Sequence, residues 1–278
     1  MKLLNMELLP KAVNDGKWLT THYSSLSAFT KYLQKNEGTK TCAYASHEGS
    51  YTFTETNSFE EALTLLKTGS DEIKAGLKDA VKHAISDLAK ELNSQPEGYI
   101  PDVEGMFFDV AKVVEGEPEA WYREPWDKVK KPRISVPVMG TYNASFDAKK
   151  AIENASKIIA LIKAMEDKGI EVEMTMVFLS SNMTNDREHS MTAITVKGYD
   201  ENFNWSKLSA MLHPSFFRRC VFRDSELQAP KNLSGGYGGD YNPKDVFEGG
   251  ENMLKISDAD SVRRFKEVVL ETLKGKKK

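Results

Sequence analysis

The chain has 278 residues, of which 40% are hydrophobic and 28% are charged. This length and composition provide enough apolar side chains for a substantial core, arranged in one large domain or two smaller ones. The 38 lysines and arginines against 41 acidic residues give a net charge of -3. The chain as a whole therefore has no bulk electrostatic attraction to nucleic acid or to an anionic membrane.

Cysteine usage indicates the compartment. Cys42 and Cys220 lie far apart and form neither a CxxC pair nor a cluster with histidine, which argues against a zinc site and against a disulfide-stapled secreted scaffold. The apolar stretch at residues 3–9 contains Glu7 and is too short to cross a bilayer. We therefore expect a cytoplasmic protein with no membrane partner.

Residues 1–125 are predicted to form a mixed α/β region that is largely helical. The spacing of apolar residues predicts a short helix over 24–34, and the alternation at 51–56 is typical of a half-buried strand. Residues 70–92 repeat the apolar spacing of an amphipathic helix. Residues 102–116 are compatible with a further short helix.

The helix that follows Ser58 has the most clearly marked ends. Ser58 is a typical N-cap, and Glu61 completes a capping box three residues later. Gly69 stands where a glycine commonly ends a helix. The sequence therefore predicts a helix between Ser58 and Gly69.

From residue 133 onwards, predicted strands and helices alternate in the order that builds βαβ units. The predicted strands span 134–139, 170–179, 191–196, 219–223 and 253–256. The predicted helices span 147–168, a segment capped by Asn204 or Ser206 that ends at Pro214, and 258–273. The predicted fold class is α/β, with a mostly parallel, helix-covered sheet in a C-terminal domain of residues 133–278.

Polar loops follow the predicted strands, and open α/β sheets bind ligands at the carboxyl ends of their strands. A further loop, residues 234–243, places four glycines around a tyrosine. Glycine permits backbone conformations that other residues cannot adopt. The candidate ligand or partner residues on these loops are Asn143, Ser145, Asp147, Asn182, Thr184, Asp186, Tyr237 and Tyr241. The alternative is that residues 180–189 form a solvated connector with local turn hydrogen bonds, and that the glycine-rich loop is an inert linker.

Residues 215–223 interleave aromatic side chains with Arg218, Arg219 and Arg223. Stacking and phosphate contacts to single-stranded nucleic acid require this composition. The alternative is a set of core phenylalanines, flanked by arginines that pair with the nearby carboxylates of Asp224 and Glu226.

Trp121, Tyr122 and Trp126 form an aromatic segment among charged residues between the two predicted regions. Aromatic anchors with a charged rim suit a protein interface, so these three residues are a candidate partner interface. The alternative is that the rings dock the two regions against each other.

No arrangement typical of catalysis is present in the sequence. The five histidines form no HxH or HxxxH pair, Ser24 and Ser25 lack a nucleophile elbow, and Cys42 has no general base near it in sequence. We predict no catalytic residue, no metal ligand and no cofactor. The sequence leans against an enzyme without deciding the question.

With its elements in this order, the segment 133–273 resembles a von Willebrand factor A-like domain, a central sheet with helices on both faces. In metal-binding members of that family, the first strand ends in an Asp-x-Ser-x-Ser loop, and a threonine and an aspartate from two later loops complete a cation site. Here Asn143 stands near the aspartate, Ser145 near the first serine and Asp147 at the second serine. An amide in place of the acid removes a full charge from a site for a hard cation, so the resemblance implies a degenerate domain.

Short sequence motifs in the chain also resemble those of an uncharacterised group of proteins encoded by tailed bacteriophages. They include SFEEA, which begins at Ser58, and VEGEPEAW, which begins at Val114. The resemblance implies a phage-encoded accessory protein that acts in the cytoplasm of the host cell.

A sheet fold without a catalytic arrangement favours a non-enzymatic protein-binding or assembly protein, with a protein partner or self-association. One alternative is a nucleic-acid-binding accessory protein of phage replication or host takeover, which uses the three arginines and the basic C-terminal end. A second alternative is a metal-dependent module at the first-strand loop, with Thr184 or Asp186 as a further cation ligand.

Overall fold

The protein is described here from a computed structural model. The structure describes residues 17–39, 54–92, 100–102, 107–108, 121–123, 132–142, 146–181, 188–228, 242–248, 250 and 253–275. These residues form a five-stranded sheet with helices packed against it, together with a separate three-stranded sheet. The prediction of a mixed α/β fold is confirmed.

Eight strands are described in chain order. They are β1 (Lys17–Tyr23), β2 (Ile100–Asp102), β3 (Phe107–Phe108), β4 (Trp121–Arg123), β5 (Arg133–Met139), β6 (Glu171–Ser181), β7 (Glu188–Lys197) and β8 (Leu254–Lys255). The large sheet has the order β1-β7-β6-β5-β8, and the small sheet has the order β2-β4-β3. Within the large sheet only β6 and β7 run antiparallel, so the prediction of a mostly parallel sheet is confirmed.

The helices account for most of the remaining described chain. They are α1 (Leu26–Lys35), α2 (Phe59–Thr68), α3 (Asp71–Leu92), α4 (Ala148–Glu166), α5 (Trp205–Leu212), the π-helix π1 (Phe216–Val221), α6 (Phe222–Gln228), α7 (Pro243–Val246) and α8 (Ala259–Gly275). Helix α4 connects the parallel neighbours β5 and β6. This is the βαβ unit that the alternation of elements predicts.

The ends of α2 follow the local signals in the sequence. The Glu61 N–H donates to Ser58 Oγ at 3.2 Å, and Glu61 Oε2 accepts from the Asn57 N–H at 2.6 Å, one residue before the cap. Gly69 has φ 78° and ends the helix. Ser58 thus satisfies one of the free N–H groups at the start of the helix, and glycine adopts the backbone conformation that closes it.

The core lies on both faces of the large sheet, because successive strand residues point to opposite sides. On the first face, Val136, Val138 and Phe178 belong to the larger apolar cluster, which includes residues of α1 to α6, π1 and α8. On the second face, Val177 and Leu179 belong to a smaller cluster that includes residues of β5 and β7, Val246 of α7 and Phe247. Strand β6 is therefore apolar on both faces, as its sequence predicts for a central strand.

Strand β1 comes from the N-terminal region, yet it pairs with β7 of the C-terminal region. Helix α3 likewise packs against α4. Residues on both sides of the expected boundary at 125–133 therefore contribute to one sheet and to the larger core cluster.

The prediction of a strand over Arg219 to Arg223 is wrong, because this segment contains the end of π1 and the beginning of α6. The apolar residues Phe216, Phe217, Cys220 and Val221 are all buried, at the spacing of three to four residues that suits a helix. Five residues are too few to separate this spacing from strand alternation.

Two other local predictions are also corrected. Thr54 to Thr56 form no strand: the Thr54 Oγ1 donates to the Thr56 carbonyl at 2.8 Å, and Glu55 between them has φ 58°. Phe107–Phe108 form β3 rather than part of a helix. Residues 51–53, 103–106 and 109–116, which complete these two predictions, lie outside the described residues.

The two glycines at and after the end of α2 provide a matched pair for substitution by alanine. At Gly69, with φ 78° and ψ 172°, an added Cβ would lie 2.7 Å from the Ser206 carbonyl oxygen. At Gly76 on α3, an added Cβ has nothing within 4 Å. We expect Gly69→Ala to lower the free energy of unfolding by about 1–3 kcal/mol and Gly76→Ala to raise it by about 0.5–1 kcal/mol.

Urea unfolding of the two variants beside the wild type measures both values. Equal changes at the two positions would show that backbone conformation and the contact with α5 do not decide the effect at Gly69.

Candidate functional site

Of the eight residues predicted on the ligand or partner loops, the structure describes Asp147. Its Oδ1 accepts a hydrogen bond from the Lys149 N–H at 2.9 Å, so the exposed carboxylate caps the N-terminus of α4. The other seven residues, Asn143, Ser145, Asn182, Thr184, Asp186, Tyr237 and Tyr241, lie outside the described residues. Their role at the sheet edge stays a prediction.

The described residues that follow β5 are held tightly to the sheet. The Leu179 N–H donates to Thr141 Oγ1 at 2.7 Å, which fixes the end of β5 against β6. The next residue, Tyr142, is buried, and the Arg218 guanidinium lies 5.6 Å from the centre of its ring. Burial raises the pKa of Tyr142, so this residue is a neutral phenol at neutral pH.

The three arginines of the nucleic-acid alternative are buried, with 7%, 0% and 4% of Arg218, Arg219 and Arg223 exposed. Arg219 Nε donates to Thr56 Oγ1 at 2.8 Å, and its Nη2 donates to the Thr56 carbonyl at 2.7 Å. Guanidinium groups in this position hold the chain before α2 and do not face phosphates in solution. The burial therefore gives the nucleic-acid alternative no support.

Arg223 has a similar structural role. Its Nη2 donates to the carbonyls of Asn36, Glu37 and Thr39, which follow α1. The guanidinium also lies 4.0 Å from the fully buried carboxylate of Glu226. The predicted pairing of an arginine with Glu226 is observed. Among the described residues Asp224 accepts instead from Tyr23, Thr192 and Gln228, so the predicted pairing of an arginine with Asp224 is wrong.

The aromatic segment is described only through its backbone. Trp121 and Tyr122 lie in β4, which pairs with β2 on one side and β3 on the other. Trp126 lies outside the described residues. The partner interface proposed for these three residues therefore stays a prediction.

Asp224 lies at the centre of a buried polar cluster, which we call the Asp224 cluster and which contains Tyr23, Thr192, Asp224 and Gln228. The Tyr23 hydroxyl donates to Oδ1 at 2.6 Å, while the Thr192 hydroxyl and the Gln228 amide donate to Oδ2 at 2.5 and 2.7 Å. These bonds join α6 to β1 and β7. No local sequence pattern indicates the cluster, since Tyr23 and Asp224 are 201 residues apart.

Burial dominates the electrostatics of this cluster. It raises the pKa of the Asp224 carboxyl, although the three hydrogen bonds act in the opposite direction. It also raises the pKa of Tyr23, helped by the neighbouring Asp224. A buried carboxyl that accepts three hydrogen bonds from α6, β1 and β7 is suited to binding the helix to the sheet.

A row of serines continues the cluster toward the end of β6. Ser190 Oγ donates to Ser225 Oγ at 2.7 Å, and Ser225 Oγ donates to the Val221 carbonyl at 3.1 Å. Ser180 is opposite Ser190 in the antiparallel register, and its buried Oγ has no hydrogen-bond partner among the residues that the structure describes. These hydroxyls line the contact between α6 and the sheet.

Two further chemical possibilities are absent from the described residues. No group of three or more His, Cys, Asp or Glu side chains in the described parts of the chain could hold a metal ion. Cys220 is fully buried, and burial raises the pKa of its thiol. A protonated, inaccessible thiol is a poor nucleophile.

A groove of about 280 Å³ lies between α3, α4 and α8. Its lining includes the apolar Ala84, Leu161 and Val262 and the charged Lys157 and Arg263. Lys157 pairs with a glutamate and Arg263 with an aspartate on their own helices. Both of these cations are therefore already paired.

Strand β1 is the long edge of the large sheet. It pairs in parallel with β7 over all seven residues, from Lys17 opposite Glu188 to Tyr23 opposite Ile194. Among the described strands, none pairs with the other side of β1. The opposite edge of the sheet, β8, is only two residues long.

The composition of β1 is unusual for an edge strand. Natural edges are commonly protected by charges, prolines or bulges. Between Trp18 and Tyr23 the strand has no charged residue and no proline, and its pairing with β7 has no register shift. Thr20 and His22 on this strand are exposed.

Both ends of β1 are fixed from the inner side. The Trp18 ring stacks on the His189 ring with centroids 4.9 Å apart and packs against the smaller core cluster. Tyr23 at the other end is held by its bond to Asp224. The strand edge is therefore rigid and needs little ordering before another strand can pair with it.

The raised pKa of Asp224 predicts a pH dependence of stability. The folded protein holds this proton more tightly than the unfolded chain, in which the pKa of an aspartate is about 3.9. The free energy of unfolding of the wild type therefore falls as the pH rises from about 4 toward the folded-state pKa of Asp224. Asp224→Asn has no proton to lose, so we expect its free energy of unfolding, relative to wild type, to rise over this range, with a slope of at most about 1.4 kcal/mol per pH unit.

Urea unfolding at several values between pH 4 and pH 8 measures this difference. Thr192→Val serves as the control, because it removes one hydrogen-bond donor but keeps the carboxyl, and should retain the pH dependence. Parallel stability curves for wild type and Asp224→Asn would contradict the raised pKa.

The residues of the first-strand loop predict that divalent metal ions do not stabilise the protein. With Asn143 in place of the aspartate and with Asp147 used as a helix cap, we expect millimolar Mg²⁺ or Mn²⁺ to leave the melting temperature unchanged, because a weakly bound ion stabilises little by mass action. Thermal unfolding with each metal and with a chelator measures this. An increase in melting temperature that disappears in Asn143→Ala would contradict the prediction.

None of the described helices is long and apolar enough to cross a membrane.

Comparisons with known proteins give a family and no activity. No curated protein and no solved structure matches the chain. A family described as "Domain of unknown function (DUF7192)" matches residues 9–275. Because this match covers nearly the whole sequence, the chain belongs to the DUF7192 family.

Proposed function

We propose that this chain is a non-enzymatic protein-binding or assembly protein that pairs with its partner along the edge of β1. The observation that carries the proposal is the seven-residue edge strand, uncharged from Trp18 to Tyr23, with no strand beside it among the described residues. Its outer N–H and C=O groups are a template for an added strand. Addition of a strand to a sheet edge is a recurring mode of protein recognition.

The chemistry of the strand supports this mode. Backbone hydrogen bonds supply affinity in strand addition, and alternate side chains supply specificity. On β1 the alternate residues Trp18, Thr20 and His22 share one face of the sheet. Aromatic residues such as Trp18 are common anchors in protein interfaces.

The proposal includes kinship with von Willebrand factor A-like domains. The unit β5-α4-β6 and the mostly parallel sheet support it. The start of β1 also lies next to the start of β7, with Trp18 opposite His189. Residues 180–181 and 188–189 of the segment predicted as a loop lie in β6 and β7, so a partner on β1 also comes close to this end of the sheet.

A phage-encoded origin is likewise part of the proposal. It depends on the two short sequence motifs that begin at Ser58 and Val114. An accessory protein of this kind would need no catalytic centre, and rigid binding surfaces would be sufficient for its action.

A displayed library of random peptides tests the proposed edge. Peptides are selected on the wild type at low protein concentration and then measured against Thr20→Lys and the control Thr64→Lys. Both threonines are exposed, and Thr64 lies on α2. We expect Thr20→Lys to weaken binding about tenfold or more, because the added charge must be desolvated beside the new strand, and Thr64→Lys to leave binding unchanged.

Circular dichroism confirms that both variants are folded. Peptides that bind Thr20→Lys as tightly as the wild type would show that β1 is not the binding edge.

A further inference from the structure

We infer that the partner on this edge is a second copy of the chain, with the two β1 strands paired antiparallel and Thr20 on the two-fold axis. This inference rests on the proposed function of the β1 edge. A closed two-fold dimer places the same surface on both copies, so two identical edge strands related in this way must run antiparallel.

The length of β1 suits this arrangement. The strand has seven residues, Lys17 to Tyr23, and Thr20 is the middle one. Antiparallel pairing about Thr20 places each residue opposite a partner without overhang at either end. Any other centre on the strand leaves residues at its ends unpaired, so the Thr20 register forms the largest number of backbone contacts.

The facing side chains in this register are compatible. Thr20 lies opposite Thr20, Trp18 opposite His22, and Leu19 opposite Thr21. Paired threonines and paired rings are favourable cross-strand neighbours. Since directly opposite residues of an antiparallel pair share a face, the rings of Trp18 and His22 from the two copies come together on the same side of the sheet.

Charge does not oppose the pairing. Lys17 is the one charged residue of the strand, and it lies opposite the neutral Tyr23 of the second copy. No like charges therefore face each other, whereas like charges placed opposite each other destabilise strand pairs. Most edge strands avoid self-pairing through such charges, and residues 18–23 of β1 lack them.

The exposure of the side chains on β1 agrees with pairing of a second copy along this strand. Thr20 and His22 are exposed, while Trp18 is half-buried against the second-face cluster. His22 Nε2 lies 3.2 Å from Thr195 Oγ1 on β7, so this ring is positioned by its own sheet. The residues that would meet across the axis are thus held in place before pairing.

The expected dimer is weak and depends on concentration. A single pair of seven-residue strands buries less area than a standard stable interface, and small interfaces are typical of transient complexes. The resulting sheet would have ten strands, five from each copy.

Charge substitutions at the axis provide the test. Thr20→Lys places two ammonium groups opposite each other, and Thr20→Glu places two carboxylates there. We expect each variant alone to raise the dimer dissociation constant about tenfold or more. A mixture of the two should restore dimers, because the opposite charges then face each other. Thr64→Lys is the control and should dimerise as the wild type does.

Analytical ultracentrifugation over a range of concentrations, in low salt and in about 1 M salt, measures the association. High salt, in which the Debye length is about 3 Å, should partly restore the dimers of each single variant. Restoration in the mixture supports the register. A mixture that stays monomeric while the wild type dimerises would overturn it.

A wild type that is monomeric at every concentration would overturn the self-pairing itself. The proposed function would then be tested by the peptide-binding measurement alone, which does not depend on a second copy. If the peptide measurement also shows no effect of Thr20→Lys, the proposed function fails as well, so the two failures can be told apart.

Discussion

The hydrogen bonds to Asp224 are the contact on which the arrangement of this protein depends. One carboxyl receives donors from β1, β7 and α6, and so it joins the N-terminal strand to the C-terminal sheet and to the helix above them. Removing one partner would leave a buried polar group unsatisfied, which costs more than the bond itself contributes. The ladder with β7 places β1 at the sheet edge, and the bond from Tyr23 to Asp224 ties the end of this strand, and with it the proposed binding surface, to α6.

Local signals in the sequence were sufficient for much of the fold. The caps Ser58 and Asp147 and the stop at Gly69 depend on residues only a few positions apart, and the helices they bound were predicted. The strands β5 and β6 were predicted because continuous apolar runs mark a strand buried on both faces. These features are decided within one turn or one strand, where a sequence pattern carries the information.

The remaining features depend on contacts between distant residues. Strand β1 was not predicted, although threonines and aromatic rings favour a strand, because what makes it a strand is its partner β7 about 170 residues later. The burial of Arg219 is of the same kind, since its partner Thr56 is 163 residues away. The composition of an aromatic and basic segment is compatible both with a surface for nucleic acid and with buried arginines that hold distant parts of the chain.

The two edges of the large sheet differ in length, with seven residues in β1 and two in β8. A sheet with two long open edges can add copies at both sides without end, as in a fibre. Here the short edge offers little backbone for a further strand, so growth of the described sheet has one direction only. Once two long edges meet, each covers the other and the assembly is finite.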